Sequence, residues 1–175
     1  MTYDTPSSFF ITFSKICKIR HSEHPKTCKI RHSSCFFLIE KVYPIDVSLM
    51  DQRDNALAGE NLGWRLETIV YLQLVRTYKP LGYDIYYLSD RSGECDFVVC
   101  KNNQVKQAIQ VSYDISSPKT RKREIDGLLL AHKKTKCTNL LLLTDHEYSQ
   151  ITENKVDIKI QPVYDWVLER GKRKE

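Results

Sequence analysis

The chain has 175 residues, 41% of them hydrophobic, which is enough for one domain that buries a core without disulfides or metal. It carries 27 Lys and Arg against 22 Asp and Glu, but residues 1–33 hold six of the basic and two of the acidic side chains. The remaining 142 residues have 21 basic and 20 acidic side chains, a net charge of +1, and so lack the basic excess of a typical nucleic-acid-binding domain.

No apolar stretch of the sequence approaches the length of a membrane span. The run over 8–13 is short and no basic residue precedes it, so it does not resemble a signal peptide. We therefore expect a cytoplasmic protein without a membrane partner. In that compartment its six cysteines should be reduced thiols.

The amino-terminal part contains a short duplication. The six residues Cys17–Ser22 recur as Cys28–Ser33, and their alternating pattern suits two strands of a hairpin. The duplication also spaces six side chains so that four of them could bind zinc; they are Cys17, His21, His24, Cys28, His32 and Cys35. Copying one Cys-x-x-x-His segment produces this spacing without metal, and Cys-x-x-Cys is missing, so we favour a metal-free tail.

Alternating and helical patterns predict the elements of one domain. An extended segment over 35–46 ends near Pro44, and a polar loop follows over 51–59. Residues 60–78 predict a helix that is apolar on most faces and therefore buried. The next predicted elements are strands over 83–88, 94–100 and 105–113, a helix that starts at Ser117-Pro118, strands over 140–143 and 156–160, and a closing helix over 163–170.

The order of these elements defines the architecture. A helix and three strands precede a second helix, which links two strands in the manner of a parallel crossover. We therefore predict an α/β domain with a mixed central sheet. We place this domain at residues 38–171, between a basic tail of residues 1–37 and a short basic tail of residues 172–175.

Three polar side chains lie inside these apolar elements. Glu67 lies in the first helix, Asp96 in the second strand and Gln110 in the third. Buried carboxylates are costly unless they are paired, hydrogen-bonded or bound to metal. If the three side chains meet, their oxygens suit a hard cation such as Mg²⁺, which can act in phosphodiester hydrolysis. The alternative, which spacing alone favours, is that each side chain is satisfied locally.

The turn between the second and third strands decides whether Asp96 and Gln110 can meet. A three-residue loop over 102–104 would place Asp96 opposite Gln110. A two-residue Asn-Asn turn would instead pair Asp96 with Ile109, because a slip of one residue exchanges the faces of a strand. Simple alternation also puts Asp96 on the same face as Val98. The sequence leaves both turn lengths open.

Several ordered motifs resemble those of one protein family. Leu66–Leu72 is similar to its first-helix motif, Gly93–Val98 to its strand motif Gly/Lys-Glu-x-Asp-Phe-Val, and Ile109–Tyr113 to its third strand. Thr120–Glu124 resembles the start of its second helix, and Lys41–Asp46 the segment that leads into the module. The family is the C-terminal domain that follows the ATPase module of prokaryotic AAA-type ATP-binding proteins. The resemblance covers roughly residues 38–170.

This resemblance implies a PD-(D/E)XK restriction-endonuclease-like core, built from a helix, three strands, a helix and a strand. Nucleases of this fold cut DNA with Mg²⁺. The resemblance therefore assigns Glu67, Asp96 and Gln110 as the catalytic residues and as the metal ligands.

The third strand departs from the pattern of an active nuclease, which carries Glu-x-Lys where this chain has Gln110-Val111-Ser112. The change removes a negative charge and a lysine, which Lys119, Lys122 or Arg123 would have to replace; Arg123 would be a poor base because it stays protonated. We therefore favour a domain that does not cleave and that binds DNA or docks a protein. The alternatives are a Mg²⁺-dependent DNA endonuclease with a displaced lysine, and a structural or homodimerisation remnant.

Two further expectations concern partners. The chain has no Gly-x-x-x-x-Gly-Lys-[Ser/Thr] loop, so we expect no ATP site in it and a separate AAA-type ATPase as partner. Lys119, Arg121, Lys122 and Arg123, at the start of the second helix, are the candidates for contacts with DNA phosphates. A solvated helix face is the alternative interpretation of the same run.

Overall fold

The structure is a computed structural model that describes Lys41, Tyr43 and residues 62–171. The predictions for residues 1–37 and 172–175, which include the hairpin and the zinc ligands, lie outside the described residues. So do the loop over 51–59 and most of the extended segment over 35–46.

A six-stranded mixed sheet with helices on both faces forms the fold, and its strand order is β1-β2-β3-β4-β6-β5. In chain order the elements are α1 Leu62–Tyr78, β1 Asp84–Asp90, β2 Gly93–Lys101, β3 Gln104–Val111, α2 Pro118–Thr135, β4 Leu140–Thr144, β5 Ser149–Glu153, β6 Val156–Pro162 and α3 Val163–Gly171. As predicted, α2 connects β3 to β4 and these strands are parallel. The fold is the expected mixed α/β class and is compatible with a nuclease-like core.

The sheet separates two cores. On one face, α2 packs through Leu128 and Ala131 against sheet residues that include Ala108, and all three are fully buried. On the other face, α1 packs through Val70 and Leu74 and shares its core with α3. Burying one large aliphatic side chain contributes roughly 1.5–3 kcal/mol, so both helices are held to the sheet mainly by these contacts.

Two elements differ from the sequence prediction. The prediction that α1 is buried on most faces is wrong, since Trp64 and Ile69 are 37% and 38% exposed and only the side with Val70 and Leu74 is fully covered. The strand β5 was not predicted, because its side chains are polar and mostly exposed. It joins the sheet by antiparallel pairing with β6, so backbone hydrogen bonding rather than an apolar pattern defines it.

The described residues include three cysteines, Cys95, Cys100 and Cys137. All three are buried, and none of them forms a disulfide with another described residue. Within the described part of the chain, the helices are too short or too polar to cross a bilayer.

The turn between β2 and β3 contains two residues, Asn102 and Asn103. Both have positive φ angles, 51° and 61°, as a tight hairpin turn with right-handed strand twist requires. Lys101 pairs with Gln104 across it. Continued without interruption, the register of this two-residue turn would pair Asp96 with Ile109 and not with Gln110.

A bulge in β3 corrects the register beyond this turn. Val99 pairs with Gln107 rather than with Lys106, so Lys106 is an extra residue in β3. The pairing that continues past the bulge brings Asp96 next to Gln110. The two-residue turn and the register expected from a three-residue loop therefore occur together, an arrangement that neither sequence alternative contained.

A second bulge lies in β2, at Asp96 itself. Asp96 and Phe97 together oppose Tyr87 of β1. The pairs on either side are Tyr86–Val98 and Leu88–Cys95. Bulges redirect side chains, and here the Asp96 carboxylate turns to the α1 side of the sheet, whereas Val98 packs on the α2 side. The prediction that Asp96 and Val98 share a face was therefore wrong.

Candidate functional site

Three charged side chains from different parts of the chain meet on the α1 side of the sheet. The Nζ atom of Lys41 lies 2.8 Å from Oε1 of Glu67 in α1 and 2.9 Å from Oδ1 of Asp96 in β2. It also lies 4.4 Å from the centre of the Tyr87 ring, within cation–π range. The Asp96 side chain is 7% exposed and that of Glu67 is 17% exposed. We call Glu67 and Asp96 the acid pair, and an ammonium group holds the pair together.

Tyr43 fixes the position of Lys41, which lies two residues earlier in the chain. Its ring is buried, stacks on Tyr71 with 4.3 Å between the ring centres, and lies 6.0 Å from the ring of Phe97. Its hydroxyl donates to Oε1 of Glu67 at 2.5 Å. Because Glu67 and Tyr71 are four residues apart, they lie on one face of α1, where Glu67 binds the hydroxyl and Tyr71 stacks on the ring of the same tyrosine, Tyr43.

Burial and charge act against each other at the acid pair. Burial lowers the pKa of Lys41, but the carboxylates of Asp96 and Glu67 outweigh it and raise that pKa above its ordinary value. Burial raises the pKa of Asp96 to about 6, an effect that Lys41 opposes and the like charge of Glu67 strengthens. Burial and Glu67 also raise the pKa of Tyr43, so its hydroxyl keeps the proton that it donates.

Gln110 extends to the α2 side of the sheet, away from the carboxylate of Asp96. Its Oε1 atom accepts a hydrogen bond from the backbone N–H of Asp96 at 3.1 Å, and its Nε2 atom donates to Oε2 of Glu124 at 2.6 Å. Glu124 is 3% exposed, and its other oxygen accepts from the guanidinium of Arg123. The expected cluster of Glu67, Asp96 and Gln110 is therefore divided between the two faces of the sheet.

The described residues do not fit the Mg²⁺ site that the family resemblance implies. Mg²⁺ requires an octahedral set of oxygen ligands, but the ammonium of Lys41 stands between the two carboxylates. The second oxygen of Asp96 accepts from the backbone N–H of Val111 at 3.0 Å, and the Gln110 oxygen is bonded to backbone. Among Lys41, Tyr43 and residues 62–171, no group of three or more His, Cys, Asp or Glu side chains could hold a metal ion.

Ser112, at the position of the missing lysine, and two of the three side chains expected to replace that lysine contact other groups. Ser112 donates to a backbone carbonyl at 3.2 Å. In α2, Lys122 lies 3.4 Å from Asp126, and Arg123 binds the buried acid beside it. Among the described residues, the lysine that reaches the acid pair is Lys41, which precedes α1 in the chain.

A cavity of about 760 Å³ lies between the β1–β2 turn and the first turns of α2, and the acid pair and Gln110 form part of its lining. Five basic and six acidic side chains are among the described residues that line it, so the cavity is not a basic groove. Of the residues predicted to contact DNA, Lys119, Lys122 and Arg123 belong to this lining. Arg121 lies outside it and pairs with Glu147 at 2.7 Å.

Sequence reasoning missed three residues of the site: Lys41, Tyr43 and Glu124. Lys41 and Tyr43 are separated by one residue in a segment predicted to be extended, a spacing that sends two side chains in the same direction. Glu124 is a lone acid in a basic run, four residues before Leu128, and that helical spacing indicates a position on the buried face of α2.

The fold and this site define a mixed α/β domain, compatible with a nuclease-like core, whose acid pair is bridged by a lysine. The family models contain no match to the chain. In sequence, the chain is 29% identical over 116 residues to the uncharacterized protein MJ1544 of Methanocaldococcus jannaschii, a match that covers 63% of this chain and 26% of that protein. It thus spans about a quarter of the relative that it matches.

A solved structure also shows similarity. It is the refined half-complex from the tetradecameric assembly of Thermococcus gammatolerans McrB AAA+ hexamers with bound McrC. The match has a TM-score of 0.38 and 15% sequence identity, and it covers 58% of this chain and 28% of that chain.

Proposed function

We propose that this chain is a nuclease-like domain that does not cleave DNA and that docks a protein partner. The observation that carries the proposal is the position of Gln110, whose amide is hydrogen-bonded to the backbone of Asp96 and to Glu124. The acid pair is left without a third oxygen ligand, and Ser112 supplies no lysine beside it. These are the two groups that the resemblance requires for phosphodiester hydrolysis.

The charges of α2 support protein docking over DNA binding. Three of the four residues predicted to contact phosphates are engaged with acids: Arg121 with Glu147, Lys122 with Asp126, and Arg123 with Glu124. A cation that is already paired contributes little to the release of counterions, which dominates the affinity of proteins for DNA.

We assign docking to the exposed side of α3. Tyr164 and Leu168 are 58% and 61% exposed and lie four residues apart, on one side of the helix. Tyr148 is 59% exposed, and its hydroxyl binds Asp165 of the same helix. Exposed apolar side chains that lie together are typical of association surfaces.

An AAA-type ATPase is the partner that we infer for this surface. The motifs of the chain resemble the domain that follows the ATPase module in that family. The matched segment makes up 26% of the curated relative, so there a domain of this kind is joined to a larger remainder.

Cleavage is tested with supercoiled plasmid, the full chain, and either Mg²⁺ or Mn²⁺. We expect no nicking beyond that of an Asp96→Asn preparation purified in parallel. Nicking by the wild-type chain that disappears in Asp96→Asn would overturn the proposal.

Docking is tested by capture of a purified AAA-type ATPase of the same organism. We expect the wild-type chain to retain it and the double variant Tyr164→Ser/Leu168→Ser to lose it. Leu81→Ser is the matched control, because Leu81 is 59% exposed and lies outside α3. Failure of the wild-type chain to capture the ATPase, or equal loss in the control, would refute docking through α3.

A Mg²⁺-dependent endonuclease with a displaced lysine is the second candidate, and the position of Lys41 favours it. Its ammonium lies within 3 Å of both acids and could take the place of the lysine that the third strand lacks. Plasmid cutting that is lost in both Asp96→Asn and Lys41→Met would establish this function in place of the first.

A further inference from the structure

The strongest unassigned feature of the molecule is the lysine between the two acids. Lys41 Nζ donates to Oε1 of Glu67 at 2.8 Å and to Oδ1 of Asp96 at 2.9 Å, and it faces the ring of Tyr87. Two carboxylates and an aromatic face are all groups that attract a cation. The site is therefore complementary to positive charge, and this chain supplies that charge itself.

Tyr43 holds Lys41 in its position beside the acid pair. Tyr43 packs against the rings of Tyr71 and Phe97, which also contact each other, and its hydroxyl contacts the same Glu67 oxygen as Lys41. Withdrawal of Lys41 would therefore require Tyr43 to leave a packed aromatic cluster or the chain between them to turn. Lys41 and Tyr43 together form what we call the plug.

The acid pair needs a cation whether or not a metal is present. Asp96 is almost fully buried, Glu67 is close to it, and two like charges in a sheltered site repel each other unless a positive charge lies between them. An ammonium and a divalent cation would use the same carboxylate oxygens. They therefore exclude each other.

We propose that Lys41 is the resident cation of the acid pair and that the plug keeps divalent cations out of this site. The proposal deepens the proposed function and rests on it, since it gives the reason why the acid pair does not fit the Mg²⁺ site of an active nuclease: its oxygens already bind Lys41. It also assigns the pair a latent affinity for divalent cations, which emerges only when Lys41 is withdrawn or replaced.

The test uses the full chain and Mn²⁺ alone, with binding measured by calorimetry and by the loss of the free Mn²⁺ resonance signal. The informative variant is Lys41→Met, which keeps side-chain length and removes the charge. The matched control is Lys101→Met, because Lys101 also lies over an aromatic ring, that of Tyr83 at 4.7 Å, and is remote from the acid pair.

We expect the wild-type chain and Lys101→Met to show no specific Mn²⁺ binding. Lys41→Met should bind one Mn²⁺ per chain, on the order of tenfold or more tighter than the nonspecific binding of the wild type, because two carboxylates are then free to act as ligands. Addition of Asp96→Asn to Lys41→Met should remove this gain. A folded Lys41→Met chain that gains no Mn²⁺ site, or a wild-type chain that already binds Mn²⁺ through Asp96, would overturn the proposal.

Lys41→Met leaves two unpaired acids, so its folding must be measured as well. If the variant is unfolded, Mn²⁺ should restore its far-ultraviolet circular dichroism, and Lys41→Met/Glu67→Gln should be folded without Mn²⁺. If neither restores the fold, the lysine is needed for reasons other than charge and the proposal is wrong. A failed Mn²⁺ result would leave the cleavage and capture experiments unaffected, and a failed capture would leave the Mn²⁺ result standing.

Discussion

Gly127 is the position where a single methyl group should disturb the site most directly. It lies in α2, one helical turn from Glu124, and a Cβ atom added to it would lie 2.2 Å from the carbonyl oxygen of Glu94 in β2 and 3.3 Å from Oε1 of Gln110. Glycine is therefore the residue that allows α2 to approach β2 closely enough for Glu124 to reach Gln110.

The magnitude follows from this geometry. Ordinary contact begins near 3.4 Å, so Gly127→Ala requires α2 or β2 to move by about 1 Å. The obstacle is a backbone atom that cannot rotate away, which places the cost near the upper end of the usual range for overpacking, about 3 kcal/mol. The better helix propensity of alanine offsets about 1 kcal/mol. We expect a net loss of about 2 kcal/mol in the free energy of unfolding.

Urea denaturation of the full chain measures this change, and Gly63→Ala is the matched control. Gly63 also lies in a helix, α1, but an added Cβ would have no neighbour within 4 Å. It should therefore gain about 0.5 kcal/mol from helix propensity and from a less flexible unfolded chain. If both variants shift the midpoint in the same direction with unchanged slopes, close approach of α2 to β2 does not matter for stability and the reasoning is refuted.

Three further predictions concern single contacts. Lys134 holds the pKa of Asp90 below its usual 3.8, so this carboxylate stabilises the fold above that pH. Asp90→Asn should therefore lower the free energy of unfolding by about 1 kcal/mol at pH 7. Thermal melts at several pH values should show that the difference between the two chains vanishes as the pH falls below 3.8. Tyr43→Phe keeps the ring but loses the hydroxyl bond to Glu67, so urea midpoints should report a loss of about 1–2 kcal/mol. Asn103→Gly should raise the melting temperature through a gain of about 0.5 kcal/mol, because glycine adopts the φ of 61° without strain.

The elements of the fold were predictable wherever burial imposes a pattern. Ser117-Pro118 indicates the start of α2, which begins at Pro118, and the apolar run of β4 indicates a strand buried on both faces. The strand β5 was not predictable, because an edge strand with exposed polar side chains shows no apolar alternation. The exposure of Trp64 in α1 was missed for a related reason: an apolar residue does not itself reveal whether anything covers it.

The acid pair could be proposed from the sequence, but its partner could not. Glu67 and Asp96 are isolated acids in apolar elements, and burial of a carboxylate demands a partner, so local pattern marks them as candidates, while the resemblance to a family assigns them to one site. Lys41 is 26 positions from Glu67 and 55 positions from Asp96 in the chain. No periodicity within one helix or strand connects residues at such distances, and only tertiary packing, through Tyr43, brings the lysine to the acids.

The two bulges explain why glutamine, and not glutamate, suits position 110. The bulge in β3 brings Asp96 beside Gln110, and the bulge in β2 turns the carboxylate of Asp96 away to the other face, so that its backbone N–H meets the amide oxygen of Gln110. The amide nitrogen then donates to the buried carboxylate of Glu124. A glutamate there would have no donor for Glu124 and would place a second negative charge at the same short distance, so the acid that α2 brings to the sheet favours a neutral amide at this position.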